Sequence, residues 1–408
     1  MTQIDLAWGA GPSPRYDSLA ARFRPLFTEL REGAARRDRE RHLPVAEHAR
    51  LKAAGFGALR VPEAQGGGGV TLPEFFALLI ELSEAESNLT QALRAHFGFL
   101  EDVLTSEDEA RRARWLGRIG AGDIFGGAWS ETGEAAKLEA FSTRVTGPRD
   151  DLRLDGTKFY TTGSLFADWI DVGATDEAGE GIGVVVSRHA AGVAVEDDWD
   201  GIGQTLTASG TATFTRVTVE AADITRADAR FGYAPAFFQL VQLATIAGIG
   251  RALATDLASA VAKRTRTYTH AAAPRSAADP QVLQVVGRVR GSAYAAGAIV
   301  LKVAEAVQRA ADARSNPEAS EHAVHIAELE SAQAQTVVTD LILNAATIAF
   351  DALGASAVTR NAGLDRHWRN ARTLASHNPR IYKDRIVGDY AVNGAPPPPQ
   401  WRVGQSEP

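Results

Sequence analysis

The sequence has no cysteine and a single methionine. The first absence excludes disulfides, thiolate nucleophiles, iron–sulfur clusters and cysteine-ligated zinc. Basic residues are outnumbered: 43 Lys and Arg face 50 Asp and Glu, a formal charge of -7. Nothing therefore draws the whole chain to nucleic acid or to an anionic membrane surface. Met1 to Ala10 lacks the basic flank and apolar core of a signal peptide. Phe231 to Gly250 carries no charge and is about long enough to span a bilayer. Pro235, Gln239, Gln242 and Thr245 interrupt it, and its apolar residues recur at helical spacing, which predicts a buried helix. A cytoplasmic location is the resulting expectation.

What is present suits a two- or three-domain globular protein of 408 residues, 45% of them hydrophobic. Residues 1–122 read as helical. Tyr16 to Arg39 places Leu19, Phe23, Leu26, Phe27 and Leu30 on one face, and a second helix spans Pro44 to Ala54. After the Gly66–Gly69 loop, Thr71 and Glu74 have capping-box spacing with Pro73 in the first turn, so a helix follows over Leu72 to Glu86. Ser87-Asn88 marks a break before a helix over Leu89 to Leu104. Residues 123–229 change character: about seven short Val-, Thr- and Ile-rich segments predict a compact β domain, with Asp155-Gly156 as a hairpin turn. From 230 to 408 the helical period returns in four long segments, Ala234–Tyr268, Pro280–Ala313, Glu318–Leu353 and Asp365–Tyr390, the pattern of a four-helix bundle. A Pro-rich tail, Ala395–Pro399, ends it. Templates for phosphate-binding P-loops, zinc proteases, serine hydrolases and dinucleotide folds are missing, and His322 and His325 share a helix face without a carboxylate motif, so no metal is expected.

Two motifs carry more information. The β segment opens with Phe125-Gly-Gly-Ala-Trp-Ser-Glu-Thr-Gly133 and continues with Leu154-Asp-Gly-Thr-Lys-Phe-Tyr-Thr-Thr-Gly-Ser164. Together with the order helical domain, β domain, helical bundle, they resemble the acyl-CoA dehydrogenase superfamily. The resemblance implies an α+β, mainly α fold: an N-terminal helical domain, a central β-barrel and a C-terminal four-helix bundle. Dehydrogenases of this family often carry their base in a Tyr-Glu-Gly-Thr element near the C-terminus. Here that stretch reads Leu364-Asp-Arg-His-Trp-Arg-Asn-Ala-Arg-Thr-Leu-Ala-Ser-His-Asn-Pro379. It is similar instead to the flavin-dependent monooxygenases of the fold, including dibenzothiophene monooxygenase and the sulfur-acquisition oxidoreductases. Leu93-Arg-Ala-His-Phe-Gly98 and Leu59-Arg-Val-Pro62 resemble the latter group.

This branch implies reduced flavin (FMNH2, with FAD as the alternative cofactor) delivered by a separate NAD(P)H-dependent flavin reductase, oxygen activation as a flavin C4a-hydroperoxide, a small organosulfur or aromatic substrate and a homotetramer. His377 and His96 are the expected proton-handling residues, since histidine exchanges a proton near neutral pH. His96 also fits a hydrogen-bonded core histidine. Thr162 is expected to hold the activated oxygen. Trp129, Ser130, Tyr160, Thr162 and Ser164 are expected beside the flavin ring, and Arg266, Gly354 and Ser356 at its phosphate, with Arg266 supplied by a neighbouring subunit. Arg366, Arg369 and Arg372 are candidates for bracing the subunit interface. The rival reading is an acyl-CoA dehydrogenase with bound FAD.

Overall fold

The computed structural model describes residues 7–132, 141–227 and 230–398. Gly133, Pro399 and the outer ends of the first and third segments lie outside the described residues. The N-terminal helices are α1 (Tyr16–Ala21), α2 (Arg24–Glu40), α3 (Val45–Ala53), α4 (Leu72–Ala92), α5 (Arg94–Thr105) and α6 (Glu109–Gly120). The single helix expected over Tyr16 to Arg39 is therefore two. Pro25 stands in the first turn of α2, where it restarts the helix after Arg22 and Phe23. Phe23, Phe27 and Leu30 still face one core.

The capping box at the start of α4 is formed in both directions: Thr71 Oγ1 accepts from the Glu74 amide at 3.4 Å, and Glu74 Oε2 accepts from the Thr71 amide at 2.8 Å. The break lies at Glu86, one residue before Ser87-Asn88, with φ -156° and ψ 95°. Its cause is a buried carboxylate. Glu86 accepts from Arg37 Nη2 at 2.8 Å and from Asn88 Nδ2 at 2.8 Å, bonds that a regular helix would not present together. Phe75 and Phe76 of α4, Phe97 of α5 and Phe237 form an aromatic cluster with centroids 4.7 to 6.2 Å apart. Edge and offset contacts of this kind add about 1 kcal/mol each beyond burial.

The β domain has strands β1 (Phe125–Ala128), β2 (Arg144–Thr146), β3 (Leu152–Lys158), β4 (Trp169–Thr175), β5 (Gly181–Ser187), β6 (Val193–Val195), β7 (Ala212–Val219) and β8 (Ile224–Arg226). They form one sheet in the order β6-β7-β3-β2-β4-β5-β8, with β1 parallel to β4. The expected hairpin at Asp155-Gly156 is instead a bulge within the single strand β3, where the register against β7 shifts. Gly156 has φ +152°, and a Cβ there would stand 2.4 Å from Thr143 Oγ1, so the glycine serves a close approach between strands. Asp155 Oδ1 accepts from the Arg216 amide across the bulge at 2.8 Å.

Five further helices complete the described residues, the last candidate segment being split in two: α7 (Ala234–Lys263), α8 (Pro280–Asp312), α9 (Pro317–Ile348), α10 (Asp365–Ala375) and α11 (Lys383–Asn393). Pro379 interrupts the last segment. Helix α7 is long and apolar enough to cross a membrane by composition, but its most apolar stretch is 89% buried within the protein. It packs against α4, α8 and α9, so its apolar circumference belongs to the core. Arg366 and Arg369 are both paired within the chain. Arg366 pairs with Asp256 of α7, and Arg369 binds Asp38 of α2 at 2.6 Å, so both brace α10 within the chain. Arg372 bonds the Ser376 hydroxyl.

Candidate active site

The two β-domain motifs meet in space. Lys158 Nζ lies 2.7 Å from Glu131 Oε1, and its side chain is 0% exposed. The ammonium also stands 3.8 Å from the centre of the Phe141 ring. Glu131 further accepts from the amides and hydroxyls of Ser142 and Thr143, which with Lys158 hold its carboxyl down at about 2 against the cost of burial. Burial lowers the Lys158 ammonium to about 8 although Glu131 opposes the shift. This pair ties the end of β1 to the end of β3, the two chain segments expected beside a flavin.

Trp129 follows β1. Its indole donates to Asp171 Oδ2 at 2.8 Å, and the Arg230 guanidinium covers the ring at 4.1 Å. The other side of the indole lies against the paired glycines Gly173 and Gly183, where a Cβ would come within 2.8 and 3.3 Å. Arg230 is neutralised by Asp171 and Asp102, each at 3.1 Å. Ser130 pairs with Phe159 as an isolated β-bridge. Tyr160 is 56% exposed, has φ +56° and meets Trp199 edge-on at 5.9 Å. Beside it, the Thr162 hydroxyl is 2.7 Å from Ser209 Oγ, which is 2.7 Å from Thr207 Oγ1, whose proton goes to the Gln204 carbonyl. A chain of hydroxyls with one fixed end orients the hydroxyl at its other end.

Two expected site residues are elsewhere. His96 is 0% exposed. Its Nε2 donates to the Gly57 carbonyl at 2.9 Å, and its Nδ1 accepts from the Phe125 amide at 3.2 Å. Both ring nitrogens are thus committed to backbone, and burial holds the imidazole neutral with a pKa near 4. No hydrogen bond or ring contact joins it to His377 among the described residues. Ser164 is also fully buried, beneath β1, with its hydroxyl toward the Gly127 carbonyl at 3.4 Å. It supports the strand and presents nothing to a cofactor surface.

His377 differs from His96 in kind. It is solvent-accessible, yet surrounded densely enough that burial, followed by the charge of Arg94, lowers its pKa to about 4. Asn378 fixes its tautomer. The Asn378 amide nitrogen donates to Gln239 Oε1 at 2.6 Å and Gln242 Oε1 at 3.3 Å, which turns Asn378 Oδ1 toward His377 Nδ1 at 3.0 Å. An amide oxygen only accepts, so Nδ1 carries the proton and Nε2 keeps its lone pair. At the Pro379 break Asn378 turns inward to α7 while His377 stays exposed. Side chains bonded to this loop from α7 are amides, and no carboxylate bonds His377 or Asn378 among the described residues.

At the far end of α7, Arg264 reaches the Leu353 carbonyl and lies 3.5 Å from Ser356 Oγ. Gly354 has φ +66°, and a Cβ there would meet Tyr268 Oη at 2.8 Å. Arg266 is exposed in the same loop. The two phosphate elements are therefore adjacent within one chain, and the cation seated on Gly354–Ser356 is Arg264, which the sequence reading passed over for Arg266. It also missed Arg94, Arg230, Ser209 and the Gln239–Gln242 pair. A signal existed for Arg94: a charge at the start of a nearly all-buried helix, inside a motif already singled out. Arg230 and Ser209 had none, because their neighbours come from remote strands. The Gly66–Gly69 loop is a closed connector; Gly67, Gly68 and Gly69 donate to Pro62, Ala58 and Val61. It borders a cleft of about 450 Å³ that is also lined by Gly57, the partner of His96, and by none of Trp129, Thr162, Arg264 or His377.

Residues 18–123 match the family described as acyl-CoA dehydrogenase, N-terminal domain, and residues 240–379 match acyl-CoA dehydrogenase, C-terminal domain. With the fold, they show that this chain belongs to the acyl-CoA dehydrogenase superfamily. Its full-length relatives fall in the flavin monooxygenase branch. A probable FMNH2-dependent monooxygenase, SfnC of Pseudomonas putida, is 26% identical over 392 residues, covering 93% of this chain and 95% of the relative. A dibenzothiophene monooxygenase of Rhodococcus erythropolis is 26% identical over 396 residues, covering 92% and 93%. Among solved structures, the methanesulfinate monooxygenase MsuC from Pseudomonas fluorescens superposes with a TM-score of 0.85 at 25% identity, over 95% of this chain and 99% of that one. FMN-bound TdsC from Paenibacillus sp. A11-2 gives 0.82 at 27% identity, over 92% and 98%.

Proposed function

We propose that this protein is a two-component flavin-dependent monooxygenase: it takes reduced FMN from a separate NAD(P)H-dependent flavin reductase and oxygenates a small organosulfur or aromatic compound with dioxygen. The observation that carries this reading is the His377 loop. A neutral imidazole with one free nitrogen, held by Asn378, Gln239 and Gln242, suits passing a proton to and from oxygen. It does not suit removing a carbon-bound proton with a carboxylate, as a dehydrogenase requires.

The chain fits the cofactor. Arg264 and Arg266 carry no carboxylate partner among the described residues and flank the Gly354–Ser356 cradle, as a phosphate requires. Ser130, Tyr160 and Thr162 are the residues that would border the ring, with Trp129, held between Arg230 and the Gly173–Gly183 pair, behind them. Bound reduced FMN supplies the electrons that activate dioxygen. With its own proton committed to Ser209, Thr162 Oγ1 would accept a hydrogen bond from a protonated oxygen, in a direction set through Ser209 and Thr207. His377 Nε2 accepts or returns the proton.

A homotetramer fits the exposed apolar side chains of the C-terminal helices, among them Ile381 at 80% and Val392 at 81% exposure, together with Tyr294 and Leu283 of α8. A cytoplasmic location follows from the need for a reductase that draws on NAD(P)H. The test is reconstitution. With a flavin reductase, NADH and FMN, the protein should oxygenate at least one member of a panel of aryl sulfides and aryl sulfinates and do nothing when the reductase is omitted. Anaerobic bleaching of bound flavin by an acyl-CoA, without oxygenation, would overturn the reading.

A further inference from the structure

One cation near this site has no counter-charge. Arg94 opens α5, and its guanidinium stacks on the Phe238 ring at 4.6 Å, with Nε donating to the Phe238 carbonyl at 3.2 Å. Its terminal nitrogens have no carboxylate within ion-pair distance among the described residues. The contrast lies on the same ring: Arg230, 5.9 Å from Phe238, is matched by both Asp102 and Asp171. The surroundings of Arg94 therefore hold about one uncompensated positive charge. Burial, reinforced by Arg230, lowers its pKa to about 10, so the charge persists at neutral pH at a cost in solvation. His377 senses the same charge. Phe238 is followed directly by Gln239, which bonds Asn378, so the cation and the proton-handling loop share one turn of α7.

A half-buried guanidinium with free in-plane donors is a receptor for a planar or tetrahedral oxyanion, which it binds through paired hydrogen bonds. We propose that Arg94 is a substrate-binding residue and that the substrate carries an anionic oxygen group, an organic sulfinate, sulfonate or carboxylate, seated against Arg94 with its apolar part on Phe238. The proposal rests on the monooxygenase reading and narrows it: a neutral fused aromatic sulfide would leave Arg94 unmatched. Arg94 also gives orientation. With the anion fixed at α5, the substrate's position relative to His377 is set by one bidentate contact.

The test is equilibrium binding to the FMN-loaded protein, followed by calorimetry. The probes are benzenesulfinate and its uncharged isostere methyl phenyl sulfone. Wild type should bind the sulfinate at least about tenfold more tightly than the sulfone, the scale of a desolvated charge-assisted contact. Arg94→Gln should abolish that preference while leaving FMN affinity within about threefold. Arg94→Lys, which keeps the charge and loses the fork, should restore part of it. If Arg94→Gln does not fold, the wild-type preference should still collapse between 20 mM and 500 mM salt, in about the proportion that screening dictates. Equal binding of the two probes, or a preference that survives Arg94→Gln, overturns the proposal. Loss of FMN affinity alone in Arg94→Gln does so too, by giving Arg94 to the cofactor. Sulfinate binding through Arg94 in a protein that oxygenates nothing would sustain this inference and sink the monooxygenase reading instead.

Discussion

Lys158 and Glu131 form a wholly enclosed ion pair, 2.7 Å from ammonium to carboxylate, that joins the two sequence motifs of the β domain. Removing one partner strands the other in a dry setting. Glu131→Gln should therefore destabilise the fold by roughly 3–5 kcal/mol, whereas the double replacement Glu131→Gln with Lys158→Met should cost less than the sum of the singles. Urea denaturation of the four proteins measures the coupling; additive losses would show that the pair contributes nothing specific.

The same pair explains how far the fold was readable. Helix starts, the Thr71–Glu74 box and most strands are local, and their residues announce them. The bulge at Gly156 was read as a turn because Asp-Gly serves either purpose, and only Thr143, brought alongside by β2, decides between them. The break at Glu86 depends on Arg37, 49 residues away. In the site, His377 was legible from its motif, while His96 was not separable from a ligand by sequence. Its place in the core depends on the Gly57 carbonyl and the Phe125 amide, which no spacing encodes.

His96 leads to a pH prediction. Its folded pKa, near 4, lies below the ordinary value of 6.5. The unfolded chain therefore binds a proton that the folded one refuses, and stability is full above about pH 6.5 and falls as the pH drops toward 4. A non-titrating His96→Asn variant lacks this loss. The stability gap between wild type and variant should narrow by about 2 kcal/mol between pH 7 and pH 5. Thermal or urea unfolding at the two pH values checks it; a gap that widens would give His96 a charged role.

Flavin affinity should distinguish the two loop arginines. Arg264 is seated on the Leu353 carbonyl and near Ser356, while Arg266 projects into solvent within one chain. If a neighbouring subunit does not recruit Arg266, Arg264→Ala should weaken FMN binding by about tenfold and Arg266→Ala by much less, the usual scale of a charge-assisted phosphate contact. Fluorescence titration with FMN ranks them. The reverse order would place Arg266 on the phosphate across a subunit boundary.

The hydroxyl chain can be probed more gently. Ser209→Ala removes the group that orients Thr162 without touching a site surface directly. Oxygenation should fall by several-fold while FMN affinity holds, and more of the consumed NADH should appear as hydrogen peroxide. Unchanged coupling would reduce the chain to a packing feature.

The central claim is that His377 manages a proton for oxygen chemistry at bound reduced flavin. It is tested most directly by running the reductase-coupled reaction under 18O2 with wild type and His377→Gln, and counting labelled product against hydrogen peroxide. The account predicts one 18O atom per product in wild type, and in the variant a drop in labelled product of about a hundredfold with peroxide taking its place. Labelled product at the wild-type ratio in His377→Gln would contradict it.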